Sequence, residues 1–239
     1  MPMPMPFFAG RARPACATLM SHLAVAAAFA SALPVRAQDG ALSQLYAARP
    51  PAGSSFVRVV NPTDQTLLVQ VAGGPAQRIG PQAPATSYAI VVGGRPFAVQ
   101  VGGKKAATLE VRPDSFGTYV LRRDGAGHAF TAIDDTGDVP DALKAELRFY
   151  NLVPGCAKAQ LQIAPAGTPV VRDVAPMAAG ARSVNPVQAQ LAAACGSAAS
   201  AAQALPALQA GDHLSLFMTG TADKPVLTMQ PARTDTFKR

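Results

Sequence analysis

Few side chains in this sequence have wide chemical reach. Beyond the first 37 residues there are two imidazoles, His128 and His213, and two cysteines, Cys156 and Cys195. Acyl transfer or hydrolysis needs a nucleophile, a base and donors for the oxyanion. His128 lies in a glycine-flanked stretch, Gly125 to Gly127, that offers a base little positional control. His213 opens a predicted strand beside Asp212, but neighbours in a strand face opposite ways and do not meet. No serine sits in a Gly-x-Ser-x-Gly elbow. Asp114-Ser115-Phe116-Gly117, following Pro113, reads as a hairpin connection. A transferase would therefore have to use Ser183 or His213 in the second half of the chain. The acids Asp134, Asp135, Asp138 and Asp141 sit in a loose stretch and form no glycosidase pair. The paired glycines at 73–74, 93–94 and 102–103 precede no helix start, so they read as hairpin turns and not as a phosphate cradle. No cluster has metal-ligand spacing, and no cofactor is expected.

The other notable pair is Arg58 and Arg148. Ser54-Ser55-Phe56-Val57-Arg58-Val59-Val60-Asn61 has a second version in Ala145-Glu146-Leu147-Arg148-Phe149-Tyr150-Asn151. Each carries an arginine between apolar residues and ends on an asparagine. In an extended chain Val57 and Val59 share one face and Arg58 takes the other, as Arg148 does opposite Leu147 and Phe149. Each copy is predicted to open a small β-domain, with Asn61 and Asn151 turning the chain through side-chain hydrogen bonds to nearby backbone. The arginines read as outward-facing. With their asparagines they are candidate contacts for a partner protein or a carboxylated sugar.

These elements need a compartment. Arg11 and Arg13 precede an apolar run from Leu19 to Leu33, and Val35-Arg36-Ala37 supplies a cleavage signal. Residues 1–37 read as a secretory signal peptide cut between Ala37 and Gln38, which places the mature chain in the periplasm. The run is shorter than the roughly 20 residues a spanning helix needs. Cleavage removes three arginines and no acid from a net charge of +7. The mild basic balance that remains is scattered among few aromatics. That excludes a nucleic-acid groove and admits an anionic polysaccharide as partner. In an oxidising compartment Cys156 and Cys195 should form a disulfide, worth roughly 4 kcal/mol on the chain-entropy model.

The mature chain reads as short extended pieces between turn signals: Thr66–Val71, Ser87–Val92, Pro96–Val101, Thr108–Val111 and Thr118–Arg122, then Ala159–Ile163, Val187–Leu191, His213–Met218 and Val226–Met229. The fold class is all-β, with two tandem sandwich-like domains joined by a flexible acidic linker. The boundaries are a lead-in at 38–53, a first domain at 54–124, a linker at 125–143, a second domain at 144–231 and a frayed tail at 232–239. The Ala-rich stretch from Gly196 to Ala204 reads as a loop or short helix.

Taken in order, these residues resemble a known family. Leu45-Tyr46, Pro50-Pro51-Ala52-Gly53-Ser54-Ser55-Phe56-Val57-Arg58-Val59-Val60-Asn61, Pro113-Asp114-Ser115 before Tyr119, Arg148 with Tyr150-Asn151-Leu152, Val184-Asn185-Pro186-Val187 and Leu216-Phe217-Met218-Thr219-Gly220 are similar to the AlgF family of alginate O-acetylation proteins. The resemblance covers nearly the whole mature chain. It implies an exported protein of two β-rich domains that acts as an adaptor in acetylating an exopolysaccharide. Its expected partners are a membrane-bound O-acyltransferase and periplasmic SGNH-type acetyltransferases. The family offers no catalytic motif to place here. The chain departs from it in the Cys156–Cys195 pair and the Ala-rich insert, so the polymer stays open between alginate and a relative such as cellulose. Two alternatives remain: a component taking direct part in acetyl transfer or ester hydrolysis, and a polysaccharide-binding module. Against the module, Trp is absent and there are only 4 Tyr.

Overall fold

The computed structural model describes residues 50–137 and 141–237. The expected signal peptide, the expected cut between Ala37 and Gln38 and most of the expected lead-in lie outside the described residues. What is described is all strand and turn. Eight strands build the first half: β1 (Ser54–Val60), β2 (Leu67–Val71), β3 (Gln77–Ile79), β4 (Ala89–Val92), β5 (Phe97–Val101), β6 (Lys104–Leu109), β7 (Phe116–Asp124) and β8 (Gly127–Asp134). The second half has β9 (Ala145–Asn151), β10 (Ala159–Ile163), β11 (Thr168–Val174), β12 (Ala178–Val184), β13 (Gln190–Cys195), β14 (Ala198–Ala199), β15 (Gln203–Ala204), β16 (His213–Gly220) and β17 (Pro225–Pro231).

The halves share one topology. The first packs sheet β4-β1-β7-β8 on sheet β3-β2-β5-β6, and the second packs β12-β9-β16-β17 on β11-β10-β13, with β14 and β15 pairing β13. In each half the first strand runs parallel to a late one. β1 sets Arg58 opposite Thr118 on β7, and β9 sets Arg148 opposite Ser215 on β16. The duplication read from two short stretches thus extends to whole sandwiches.

Alternation explains the cores. Val57 and Val59 pack with Val69, Val99 and Tyr119 in the first sandwich, and Leu147 and Phe149 pack with Leu161, Leu214, Leu216 and Met218 in the second. Each such side chain contributes about 1.5–3 kcal/mol when fully buried. The second sandwich is also closed by Cys156–Cys195, whose Cα atoms are 5.8 Å apart. The bridge ties the turn after β9 to the end of β13.

Asn61 and Asn151 fill matching posts. The Asn61 side chain accepts from Thr63 N (3.1 Å) and donates to Gln65 O (2.6 Å). Asn151 accepts from Val153 N (3.1 Å) and donates to Cys156 O and Val174 O (2.8 and 2.9 Å). Both are buried, holding the turn that follows the strand.

Several expectations are corrected. Much of the stretch assigned to a linker is strand. Gly125, at φ 53°, closes a hairpin, and β8 pairs along the whole of β7. Its glycines and acids signal disorder in the sequence, yet Ile133 and Asp135 are both buried. The Ala-rich stretch is neither helix nor free loop. Gly196, at φ 58°, turns the chain back, and β14 and β15 hydrogen-bond β13. The predicted strand Val187–Leu191 sits further along, as β13, and Val187 itself is exposed. The tail is bound over part of its length. Tyr88 N donates to Arg233 O (2.7 Å) and Asp235 N to Tyr88 O (2.8 Å), so residues 232–235 form a strap from the second sandwich to the first.

Candidate functional site

Over much of their length the outward faces of the two parallel strand pairs do not meet water; they meet each other. Val60 and Val120 of the first sandwich pack with Tyr150 and Phe217 of the second, joined by Ala85, Ile133 and Leu152. The repeat places Arg58 and Arg148 at equivalent positions on these faces, but the packing is offset and their surroundings differ.

Arg58 is 1 % exposed. Its Nε donates to Thr118 Oγ1 (2.9 Å) and its Nη2 to Tyr150 Oη (2.7 Å). The guanidinium lies over the rings of Tyr88, Tyr150 and Phe217 at 4.5, 5.1 and 5.3 Å. Asp135, 4 % exposed, completes the group by accepting from Tyr88 Oη (2.7 Å), Tyr150 Oη (2.9 Å) and the Thr118 hydroxyl. A cation and an anion are thus buried together and linked through hydroxyls, with no buried side-chain polar atom left unsatisfied among the described residues. Burial pushes Tyr88 up to about 12 and Tyr150 well above the ordinary phenol, although Arg58 pulls both down. Each stays protonated and can donate to Asp135. Arg58 is raised on balance: burial opposes its charge, and the Tyr150, Tyr88 and Asp135 oxygens outweigh it.

Beside this network is a cleft of about 490 Å³. Tyr88, Phe116, Asp135 and Thr136 wall it on the first side, and Glu146, Arg148, His213 and Ser215 on the second. Arg148 Nε donates to Glu146 Oε1 at 3.0 Å, and His213 Nδ1 lies 3.7 Å from the same oxygen, an ion-pair distance too long for a hydrogen bond. His213 and then Arg148 hold Glu146 down at about 2 against the opposing effect of burial, and Glu146 in turn raises His213.

The register limits what this cleft can do. Ser183 on β12, Glu146 on β9 and His213 on β16 are direct cross-strand partners, with the carboxylate in the middle. A nucleophile needs the imidazole as its neighbour, so Ser183 is poorly placed. Ser215, two positions from His213, shares its face and lines the cleft, but no hydrogen bond joins the two. Asp212 engages Gln209 N (2.7 Å) and Asp114 engages Gly53 N (2.8 Å), both as turn residues. Ser115 Oγ donates to Arg112 O at 2.5 Å in the same connection. His128 lies on β8, opposite Arg123 and away from the cleft.

Of the residues proposed to meet a partner, Arg58, Asn61 and Asn151 are withdrawn from solvent, because the face opposite each core is covered by the other sandwich or by a turn. Only Arg148 reaches an open surface, with its side chain 17 % exposed.

The family profile described as "Alginate O-acetyl transferase AlgF" matches residues 25–214. The chain belongs to the AlgF family. It is 30% identical to the alginate biosynthesis protein AlgF of Pseudomonas aeruginosa, over 86% of this chain and 90% of that one. It is 29% identical to the protein of that name from Pseudomonas putida, over 82% and 88%. Among solved structures it matches the C-terminal domain of AlgF from P. aeruginosa at 32% identity, covering 37% of this chain and 98% of that one with a TM-score of 0.33. In this AlgF-family chain, sequence reasoning missed Tyr88, Asp135 and Glu146. Tyr88 and Asp135 lie far apart in the chain, just before β4 and just after β8, and meet through the sheet that joins those strands. Glu146 had a readable signal: it sits two positions before Arg148, on the same strand face.

Proposed function

We propose that this AlgF-family chain is a non-catalytic periplasmic adaptor in the O-acetylation of an exopolysaccharide, with alginate the first candidate polymer. It would hold a membrane-bound O-acyltransferase close to SGNH-type acetyltransferases, as the family resemblance implies. The observation that carries this reading is the buried Arg58–Tyr150–Asp135 network. It fixes two sandwiches as one body, so proteins docked on each are kept at a set spacing and a high effective concentration. The test is co-purification of the exported chain with each acetylation partner. Expected is capture of both partners, with each sandwich expressed alone capturing at most one. Failure to capture either would overturn the reading. Mass measurement of the exported chain should show an N-terminus at Gln38.

A second reading is favoured by one observation: Glu146, His213 and Ser215 line the same cleft. There Ser215 Oγ would attack the acetyl carbonyl of an ester donor, with His213 accepting its proton and passing it to the departing alcohol as the donor C–O bond breaks, leaving an acetyl-serine ester for a polymer hydroxyl or water to resolve. Turnover of an acetyl ester by the exported chain, abolished in both Ser215→Ala and His213→Ala, would replace the adaptor with this enzyme. The adaptor reading expects no turnover.

A further inference from the structure

Two pairs of cations stand apart in the sequence, Lys104-Lys105 at the start of β6 and Arg122-Arg123 near the end of β7. The first sandwich brings them to one end. β6 finishes where β7 begins, and there Tyr119 Oη donates to Glu110 O (2.6 Å) and Ser115 Oγ to Arg112 O. The cations sit on the opposite ends of both strands. Each pair is on an arm of a tight hairpin: Lys104 pairs with Val101 across Gly102-Gly103, and Arg123 with His128 across the turn at Gly125. β6 also packs beside β8, so the two hairpins are neighbours.

All four cations are exposed, and none forms an ion pair among the described residues. The acids at this end of the first sandwich are Asp64 and Asp124, both exposed and neither paired with a cation. The turns project into open space: a Cβ added at Gly102, Gly103 or Gly125 would meet no atom beyond its chain neighbours within 4 Å. The 490 Å³ cleft does not reach these residues. From Gly102 to Gly103 and from Gly125 to Gly127 the turns carry no ring and no side-chain amide that could read a sugar or a peptide. What they offer is unpaired charge at close approach. A fixed partner needs acids matched to that charge in place, whereas anionic lipids diffuse in the plane of a bilayer and gather beneath it. A cluster of four or more Lys and Arg is of the size that attracts such a surface.

We propose that this end of the first sandwich docks on a bilayer surface rich in anionic phospholipid. The glycines let both turns approach the headgroups, where the four cations meet lipid phosphates. No large apolar side chain sits on either turn, so the contact is electrostatic, shallow and reversible. It would hold an adaptor at the surface where a membrane-bound partner resides.

The test is co-sedimentation of the exported full-length chain with vesicles of one part phosphatidylglycerol to two parts phosphatidylcholine, against vesicles of phosphatidylcholine alone. The chain should sediment with the anionic vesicles only, and less as salt rises, since exposed charges are screened. A cation near such a surface is worth about fivefold in affinity. Lys104→Gln with Lys105→Gln should therefore weaken binding about 25-fold, and adding Arg122→Gln and Arg123→Gln should abolish it. Thermal melting should not change, because the replaced groups are exposed and unpaired. Lys104→Arg with Lys105→Arg keeps the charge and should keep binding. Arg172→Gln with Lys224→Gln removes as much charge from the second sandwich and should leave binding as it is. No sedimentation with the anionic vesicles, equal sedimentation with phosphatidylcholine, or equal weakening by the second-sandwich pair would each overturn the inference. If the chain ignores the vesicles but still captures its acetylation partners, this inference falls and the adaptor stands. If the fourfold variant keeps the vesicles and loses a protein partner, the cations serve a protein contact and the inference falls as well.

Discussion

Arg58 and Arg148 occupy the same position in two copies of one sandwich, opposite Thr118 and Ser215 respectively. One is sealed under three aromatic rings; the other borders an open cleft with a glutamate at its Nε. Position within the repeat therefore does not set the role of the residue. The surface that arrives opposite sets it. The first copy's arginine is covered by Tyr150 and Phe217 of the second, and nothing equivalent covers Arg148. A duplication that began symmetric has become a structural residue and an available one.

The comparison can be broken at several points. The largest effect should come from the bond that only the second copy has. Cys156→Ser with Cys195→Ser should remove about 4 kcal/mol in denaturant unfolding, with the second sandwich losing amide protection before the first. Simultaneous loss in both would mean that the copies unfold as one unit and are not separable in stability.

Next is Arg58→Met. It leaves Asp135 buried without a cation, which should cost about 3 kcal/mol, the scale of breaking a buried ionic network from one side. Arg148→Met should cost about 1 kcal/mol or less, as a partly exposed pair does. Equal losses in urea titrations would erase the distinction between the two arginines. Tyr150→Phe is a finer probe. It removes the hydroxyl that accepts from Arg58 and donates to Asp135, for about 1–3 kcal/mol. A neutral result would mean that the rings, and not the hydroxyl, hold the guanidinium.

The smallest effect is the pH response of the open side. Glu146 is held at about 2, so its contribution is present above the ordinary carboxylate value of about 4.3 and is lost as pH falls towards 2. His213 is raised, so its contribution is full below about 6.5 and is lost as pH rises through the raised value. The pair supports the fold most between those ordinary values. Glu146→Gln should flatten the melting temperature on both sides of that window. An unchanged pH profile would show that Glu146 and His213 are not coupled.

Much of the fold is legible in the sequence because half-buried strands print a period of two. Val57 and Val59, Leu147 and Phe149, and Leu214 and Leu216 announce their faces, and Asn61 and Asn151 announce their turns. The same rule misled at the interface. A residue opposite the core is read as solvated, and Arg58 obeys the alternation while being buried by a second sheet that no local pattern reveals. Strand β12 is hard to read because Ala178-Ala179-Gly180-Ala181 offers little alternation. Gly180 is needed there, since a Cβ would come within 2.7 Å of Val171 Cγ1. The hairpin of β8 was hidden by Gly125, Gly127 and the acids around them, which signal a connector just as readily. The open cleft was half legible: His213 and Arg148 stood out, but their common partner Glu146 did not.

The strap carries a consequence for how the molecule is finished. The N–H of Tyr88 finds its acceptor on Arg233, almost the last residue described. Synthesis delivers the amino end first, so the earlier module must wait for residues 233–235 before its edge is capped. Removal of residues 233–235 should therefore be felt in the first sandwich, where Tyr88 helps to hold Asp135.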